Sequence, residues 1–246
     1  MPQGSVGKIR LFNDFCGVHD VLASTADTAP LGDFYAGGEG FEDNDAGIAY
    51  LQSDALSGVV RLTSGNTDVD MTFIGTDICF DVGLMGPITI ETRVRLPDLD
   101  TKIIFIGLTS VLTLDEQIDD IIDAGTTTIT LTAPSLCGFL LSDELTDDED
   151  WHMVYNGGTT TGQTTSTSID ADADAVAGEW QVLRLEVDAD GTARWYIDEV
   201  LKQTVEGAVS TSTDMAVCVG AGANTTEFNI FDVDYLLVEA NRDWTA

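Results

Sequence analysis

Basic side chains are scarce in this chain. Its 246 residues include 10 lysines and arginines against 43 aspartates and glutamates, and the formal net charge is -33. A surface of this sign repels phosphate backbones and anionic lipids, so we expect no direct binding to nucleic acid or to a membrane. The acidity suits solubility in a salty medium, a basic partner, or the collection of cations at surface sites.

Histidine is also scarce, which argues against several kinds of catalysis. The two histidines, His19 and His152, lie near no nucleophile signature, and the sequence contains no Gly-x-Ser-x-Gly elbow, phosphate loop or His-Glu-x-x-His motif. We therefore expect that the protein is not an enzyme.

Neither closely spaced cysteines nor long apolar runs occur. The four cysteines lie far apart in apolar runs, which predicts buried reduced thiols and no Cys-x-x-Cys metal site. No stretch is long enough to span a bilayer, and the N-terminal segment lacks the apolar core of a signal peptide. We expect synthesis and folding in a cytoplasm.

Short β-rich runs, separated by Gly, Asn, Asp or Pro, fill most of the chain. The clearest pair is 180–187 and 193–200, where apolar and polar residues alternate on either side of the turn Asp-Ala-Asp-Gly at 188–191. Trp180 and Trp195 are predicted to face the core. The pattern predicts an all-β, two-sheet antiparallel jelly-roll sandwich at 58–246.

One segment predicts a short helix near 113–124. Thr113 and Glu116 have capping-box spacing, several isoleucines share one helical face, and Gly125 marks a stop.

The first 57 residues are predicted to form an N-terminal arm and a first strand, because they combine one strand-like run with a Gly- and Asp-rich tract. This part would pack on the sandwich or on a neighbouring subunit, in a single domain overall. Lys8, Ile9 and Arg10 are the candidate partner contacts, since this strand suits addition to a sheet edge. The alternative is that the strand completes the protein's own sandwich.

Asp170, Asp172 and Asp174 alternate along one run and are the candidate metal ligands. Two-residue spacing can place carboxylates on one strand face, as in β-sandwich glycoside hydrolases, but only alanines separate them and no aromatic platform accompanies them. An EF-hand is excluded because Ala175 and Gln181 replace its glycine and its bidentate glutamate. We expect three exposed carboxylates, at most a weak calcium site, and no other cofactor.

The hairpin that opens at Trp180 resembles the core hairpin of concanavalin A-like and laminin G-like jelly-roll sandwiches, although Glu199 replaces a usual glycine. The order of short phrases over about residues 11–240 is similar to a class of tailed-phage virion proteins. These phrases include NDFCG, GVVRLTSG, SLCGFLLSDELTDDEDWHMVYNGG and the Trp180 hairpin.

The resemblance implies a non-enzymatic virion structural protein, a capsid decoration or cement protein located on the capsid surface. Its partners would be the major capsid protein or other virion proteins, and it would form a homo-oligomer. No catalytic residues come with the resemblance. The alternative function is a carbohydrate-binding module for surface attachment, and the third is a glycoside hydrolase.

Overall fold

The computed structural model describes residues 7–16, 28–43, 46–51, 57–100, 102–224 and 226–243. Its strands, in chain order, are β1 (Lys8–Asn13), β2 (Ala29–Leu31), β3 (Phe34–Gly37), β4 (Gly47–Tyr50), β5 (Val60–Thr63), β6 (Met71–Gly75), β7 (Phe80–Asp81), β8 (Ile88–Arg95), β9 (Ile103–Thr109), β10 (Asp123–Ala124), β11 (Ile129–Thr130), β12 (Leu136–Ser142), β13 (Asp150–Asn156), β14 (Asp170–Asp174), β15 (Trp180–Val187), β16 (Ala193–Ile197), β17 (Val200–Val205), β18 (Asp214–Gly222) and β19 (Ile230–Asn241). The helices are α1 (Val82–Met85), α2 (Ile118–Ile121) and a 3-10 turn (Ser166–Ser168).

Two large antiparallel sheets form the protein. The eight-stranded sheet has the order β17-β16-β15-β8-β19-β5-β4, and β1 pairs with the later part of β19. The nine-stranded sheet has the order β14-β13-β12-β9-β18-β6-β3-β2, and β7 pairs with β18. The predicted all-β jelly-roll sandwich is confirmed, because the chain passes repeatedly between two antiparallel sheets, as from β5 to β6, from β8 to β9 and from β18 to β19.

The eight-stranded sheet is buried on one face only. Along β8, Ile88, Ile90, Thr92 and Val94 are buried, and the residues that alternate with them are half-exposed. Side chains alternate across a strand, so the aliphatic set packs between the sheets and the intervening set forms the outer face.

The nine-stranded sheet is covered on both faces. Every residue of β6, β9 and β12 is buried. Its outer face packs under the segment 110–135: a side chain at Gly222, an outer-face position of β18, would lie 2.6 Å from Ile118 of α2. The backbone of the same segment accepts hydrogen bonds at Leu114 from Gly38 N (2.7 Å) and at Glu116 from Glu39 N (2.9 Å). This sheet therefore offers no broad open face among the described residues.

The helix predicted near 113–124 is present but much shorter, as α2, and α1 is an additional turn. Glu116 Oε2 accepts the backbone N–H of Thr113 at 2.6 Å, as the capping box implies. Helical hydrogen bonding nevertheless begins only at Ile118 and ends at Ile121, because the flanking residues donate and accept across the nine-stranded sheet instead.

The described part of the first 57 residues contributes strands to both sheets. Phe15, Leu31, Phe34 and Phe41 are each at most 4% exposed. These aromatic and aliphatic side chains therefore belong to the core of the sandwich. The intersubunit role of this part stays a prediction.

Candidate functional site

Most of the basic residues lie on the outer face of the eight-stranded sheet. Their strand registers place them together: Arg95 is opposite both Trp180 and Asp232, and Glu91 is opposite Arg184. The seven outer-face basic residues, out of 10 in the chain, are Lys8, Arg10, Arg61, Arg93, Arg95, Arg184 and Arg194. A chain with net charge -33 thus concentrates its cations on one surface.

Carboxylates neutralise much of this charge. Asp232 has a fully buried side chain and accepts two hydrogen bonds from Arg61 (2.7 and 3.1 Å) and two from Arg95 (3.0 and 2.6 Å). Asp234 pairs with Arg93 at 2.8 Å. Bidentate guanidinium–carboxylate pairs of this kind hold both side chains in fixed positions.

Aromatic rings lie among the arginines. The guanidinium groups of Arg93 and Arg95 lie 4.7 and 4.8 Å from the ring centre of Trp180, and that of Arg184 lies 4.2 Å from Tyr196. These distances fit cation–π contacts. Trp195 faces the core as predicted, but the same prediction for Trp180 is wrong, because its register opposite Arg95 places it on the outer face.

A groove of about 310 Å³ opens on the same face, lined by Glu91, Val182, Arg184, Asp198, Glu199 and Tyr235. Tyr235 Oη donates to Glu91 Oε1 at 2.8 Å. Burial, together with this carboxylate, raises the pKa of Tyr235 above its ordinary value, so the phenol stays a neutral donor. The groove is therefore lined by a phenol ring, a guanidinium group and carboxylates that lie close together.

A second hollow, of about 620 Å³, lies at the β15–β16 turn and includes Asp188, Thr192 and Arg194 in its lining. Arg194 and Asp188 pair at 2.6 Å across it. It has fewer apolar and aromatic groups than the groove, so it offers less for a ligand to stack on.

The predicted metal ligands do not share one strand face. Asp172 has a φ of +47° and lies in a bulge between the pairs Asp150–Asp174 and His152–Asp170. The bulge interrupts the two-residue alternation that the sequence pattern predicts. Asp172 and Asp174 are exposed and Asp170 is half-buried, so the expectation of three exposed carboxylates holds for two of them.

Asp170 instead meets the acidic loop before β13. Carboxylate oxygens of Asp147, Asp150 and Asp170 all lie within 4.8 Å of one another; we call these three residues the acidic cluster. Partial burial, the charge of Asp170 and a hydrogen bond with Asp174 raise the pKa of Asp150 to about 6. Sequence spacing does not single out Asp147 and Asp150, because adjacent carboxylates rarely converge without a turn. The β13–β14 pairing brings Asp150 and Asp170 together.

His152 borders this cluster and is fully buried. It lies directly opposite Asp170 in the β13–β14 pair, and neither ring nitrogen has a hydrogen-bond partner among the described residues. Burial lowers the pKa of His152. The charges of Asp170 and Asp147 and the nearby backbone carbonyls of Asp150 and Leu140 act to raise it, although neither carbonyl lies in hydrogen-bond geometry to the ring. The other histidine, His19, lies outside the described residues.

The candidate partner contacts lie in β1, which pairs with the protein's own β19. Lys8, Ile9 and Arg10 are opposite Asn241, Ala240 and Glu239. Lys8 and Arg10 are exposed and Ile9 is half-buried. This is the internal strand that the sequence left as the alternative, and a further contact with a neighbouring subunit stays a prediction.

All four cysteines are free, but only two are buried. The prediction of buried thiols holds for Cys137 and Cys218 and is wrong for Cys16 and Cys79, which are exposed. Neither exposed residue lies in a strand, because Cys16 follows β1 and Cys79 precedes β7, and the sequence pattern does not show this.

Comparison with known proteins informs the fold. No protein-family model matches the sequence, and no curated protein matches it. A protein of unknown function from Shewanella oneidensis MR-1 has a similar structure, with a TM-score of 0.64, 11% identity and coverage of 98% of this chain and 90% of that one.

Two carbohydrate-active proteins are also similar in structure. The catalytic domain of a laminarinase from Thermotoga maritima has a TM-score of 0.54 at 10% identity and covers 93% of this chain and 96% of its own. An endo-β-1,4-glucuronan lyase from Trichoderma reesei has a TM-score of 0.53 at 13% identity, with 80% and 87% covered. At such identities the likeness shows the fold, a jelly-roll sandwich, and no more. No described helix is long and apolar enough to cross a membrane.

Proposed function

We propose that this protein is a non-enzymatic carbohydrate-binding module and that its glycan occupies the outer face of the eight-stranded sheet. The observation that carries the proposal is the groove formed by Tyr235, Arg184 and Glu91. In this groove an aromatic ring, a guanidinium group and carboxylates lie close together. No other described segment of the chain covers the outer face of the sheet there.

The chemistry of the groove suits a sugar. A pyranose ring has an apolar face that stacks on aromatic rings and a rim of hydroxyls that pair with guanidinium and carboxylate groups. The volume of about 310 Å³ is at the small end of ligand sites, which span roughly 300–1,000 Å³. Tyr196 and Trp180 continue the aromatic surface away from the groove, which offers room for an oligosaccharide.

The carboxylates support binding rather than hydrolysis. Glycosidases use one protonated and one ionised carboxyl group on either side of the scissile bond. Asp232 and Asp234 have strand spacing, but both are held by arginines. The bulge at Asp172 separates the other alternating set. The similarity of fold to a laminarinase and a lyase supports a glycan-related role in general terms.

A glycan array with the full chain tests this proposal. We expect binding of a defined oligosaccharide class, and loss of at least about tenfold in affinity in Arg184→Ala and Tyr196→Ala, because each removes a groove or groove-side contact. Arg10→Ala is the matched control, since it removes one exposed arginine from the same face away from the groove. Absence of any glycan signal, or equal losses in all three variants, would refute the proposal.

A virion structural role is the second candidate, and the exposed edge of β17 favours it. Val200 and Leu201 are 58% and 49% exposed on this terminal strand. An apolar sheet edge invites pairing with another chain, so a second copy or a capsid protein would bury it. Together with the sequence resemblance, this supports a decoration protein that binds the major capsid protein as a homo-oligomer on the virion surface.

Sedimentation separates the two candidates. A decoration protein would co-sediment with capsids and self-associate, and the double substitution Val200→Lys and Leu201→Lys would abolish both. Glu206→Lys, at an exposed position next to β17, is the control for added charge. If the unsubstituted protein is monomeric and does not co-sediment with capsids, the virion structural role is refuted.

A further inference from the structure

We propose that the acidic cluster is a divalent-cation site for Ca²⁺, in which Asp147, Asp150 and Asp170 supply the ligands and His152 orients a water bound to the cation. The site lies on the nine-stranded sheet, away from the groove, so the inference does not depend on glycan binding.

The carboxylates have the geometry of ligands to one ion. Their oxygens lie within 4.8 Å of one another, which is near the spacing of three oxygens that share one Ca²⁺ ion at the usual distance of about 2.3–2.6 Å. Asp150 Oδ1 accepts the N–H of Ala173 at 3.0 Å, and Asp170 Oδ1 accepts that of Asp172 at 2.6 Å. These bonds fix the orientation of both carboxylates before an ion arrives.

The buried imidazole is the independent observation. A buried polar atom without a partner costs folding free energy, and native proteins rarely keep one without a reason. His152 shares the outer face of β13 with Asp150 and pairs with Asp170 of β14. The charges of Asp170 and Asp147 both act on the pKa of its imidazole, so the ring lies near two members of the cluster. Its ring nitrogens do not belong to the group whose atoms lie within 4.8 Å of one another, so we assign it to a position behind the ligands rather than among them.

A cation with its water satisfies both features together. Three convergent negative groups are balanced by the ion, and a water on the ion can donate to one nitrogen of the neutral imidazole. Carboxylate and water ligands select hard cations such as Ca²⁺, whereas a site with imidazole as a direct ligand favours Zn²⁺ and other transition metals. An outer position for His152 therefore points to Ca²⁺.

Titration calorimetry on the chelator-treated full chain, with Ca²⁺ alone, tests the site. We expect one site with a Kd below about 10⁻³ M, the weak end for protein calcium sites. Asp147→Asn, Asp150→Asn and Asp170→Asn should each weaken it at least about tenfold. Asp148→Asn and Asp172→Asn are matched controls that remove the same charge from the same loop and strand, and should change the Kd less than about twofold.

His152→Gln should weaken Ca²⁺ binding by about 10- to 100-fold, as loss of a partner behind the ligands does, while the melting temperature in chelator reports whether the variant folds. Should that variant not fold, the three Asn variants decide alone, since they keep side-chain shape. Equal losses in variants and controls would mean a diffuse counter-ion atmosphere and overturn the proposal. Binding of Zn²⁺ with no response to Ca²⁺ would overturn it as well, because His152 would then be a direct ligand.

Discussion

Asp232 is expected to be the most important single charge for stability. Its carboxylate is fully buried and accepts four hydrogen bonds, from Arg61 and Arg95, whose side chains are 32% and 31% exposed. Asp232→Asn leaves both guanidinium groups without their counter-charge. Removing one partner of a buried ion pair costs about 3–5 kcal/mol, and partial exposure of the arginines places the expected loss near the lower end, about 3 kcal/mol.

This loss is large enough to measure in a thermal melt. For a chain of this size about 1 kcal/mol lowers the Tm by about 2–4 °C, so we expect a decrease of about 6–12 °C. Glu239→Gln is the control, because its pair with Arg10 is exposed on both sides and contributes less than about 1 kcal/mol. A change below about 1 kcal/mol for Asp232→Asn, or equal changes for the two variants, would refute the reasoning.

Three further predictions follow from burial and backbone geometry. Burial, with neighbouring carboxylates led by Asp123, raises the pKa of Asp119 to about 6. Ionisation of this carboxyl group therefore lowers the free energy of unfolding as pH rises through about 6. In urea melts, the Asp119→Asn variant should lose that part of the pH dependence and should be more stable than the parent at about pH 7.5. Gly38 has a φ of +125° and an added Cβ would lie 2.0 Å from Met71 O, so Gly38→Ala should cost about 2 kcal/mol or more in the same assay, and a neutral result would contradict the backbone geometry. A thiol reagent should label two cysteines in the native protein and two more only after unfolding, and four fast thiols would contradict the burial; the exposed and buried pairs are Cys16 with Cys79 and Cys137 with Cys218.

The strands of the eight-stranded sheet could be predicted from the sequence because the outer face of this sheet is exposed to solvent. Alternation of apolar and polar residues at 180–197 predicts the hairpin, which forms as β15 and β16. Trp180 was misplaced because an aromatic residue at the start of a strand fits either face, and only pairing with Arg95 of a distant strand decides between them. Cation–π contact then makes an outward tryptophan favourable.

The candidate sites depend on pairings that no local pattern contains. The groove joins β8, β15 and β19, and Tyr235 meets Glu91 across 144 positions of sequence. The acidic cluster needs the β13–β14 register to bring Asp170 to Asp150, and the bulge at Asp172 breaks the alternation on which the sequence prediction rested. Local spacing could flag acidic residues, but it could not select which three converge.

The most direct test of the proposed function is hydroxyl-radical footprinting with a bound oligosaccharide found on the array. Binding at the outer face of the eight-stranded sheet should protect Tyr235, Tyr196 and Trp180 from oxidation and leave Tyr35, a half-buried ring on the nine-stranded sheet, unchanged. Protection of Tyr35 with no change at the three outer-face rings would contradict the account, because the glycan would then bind the other sheet.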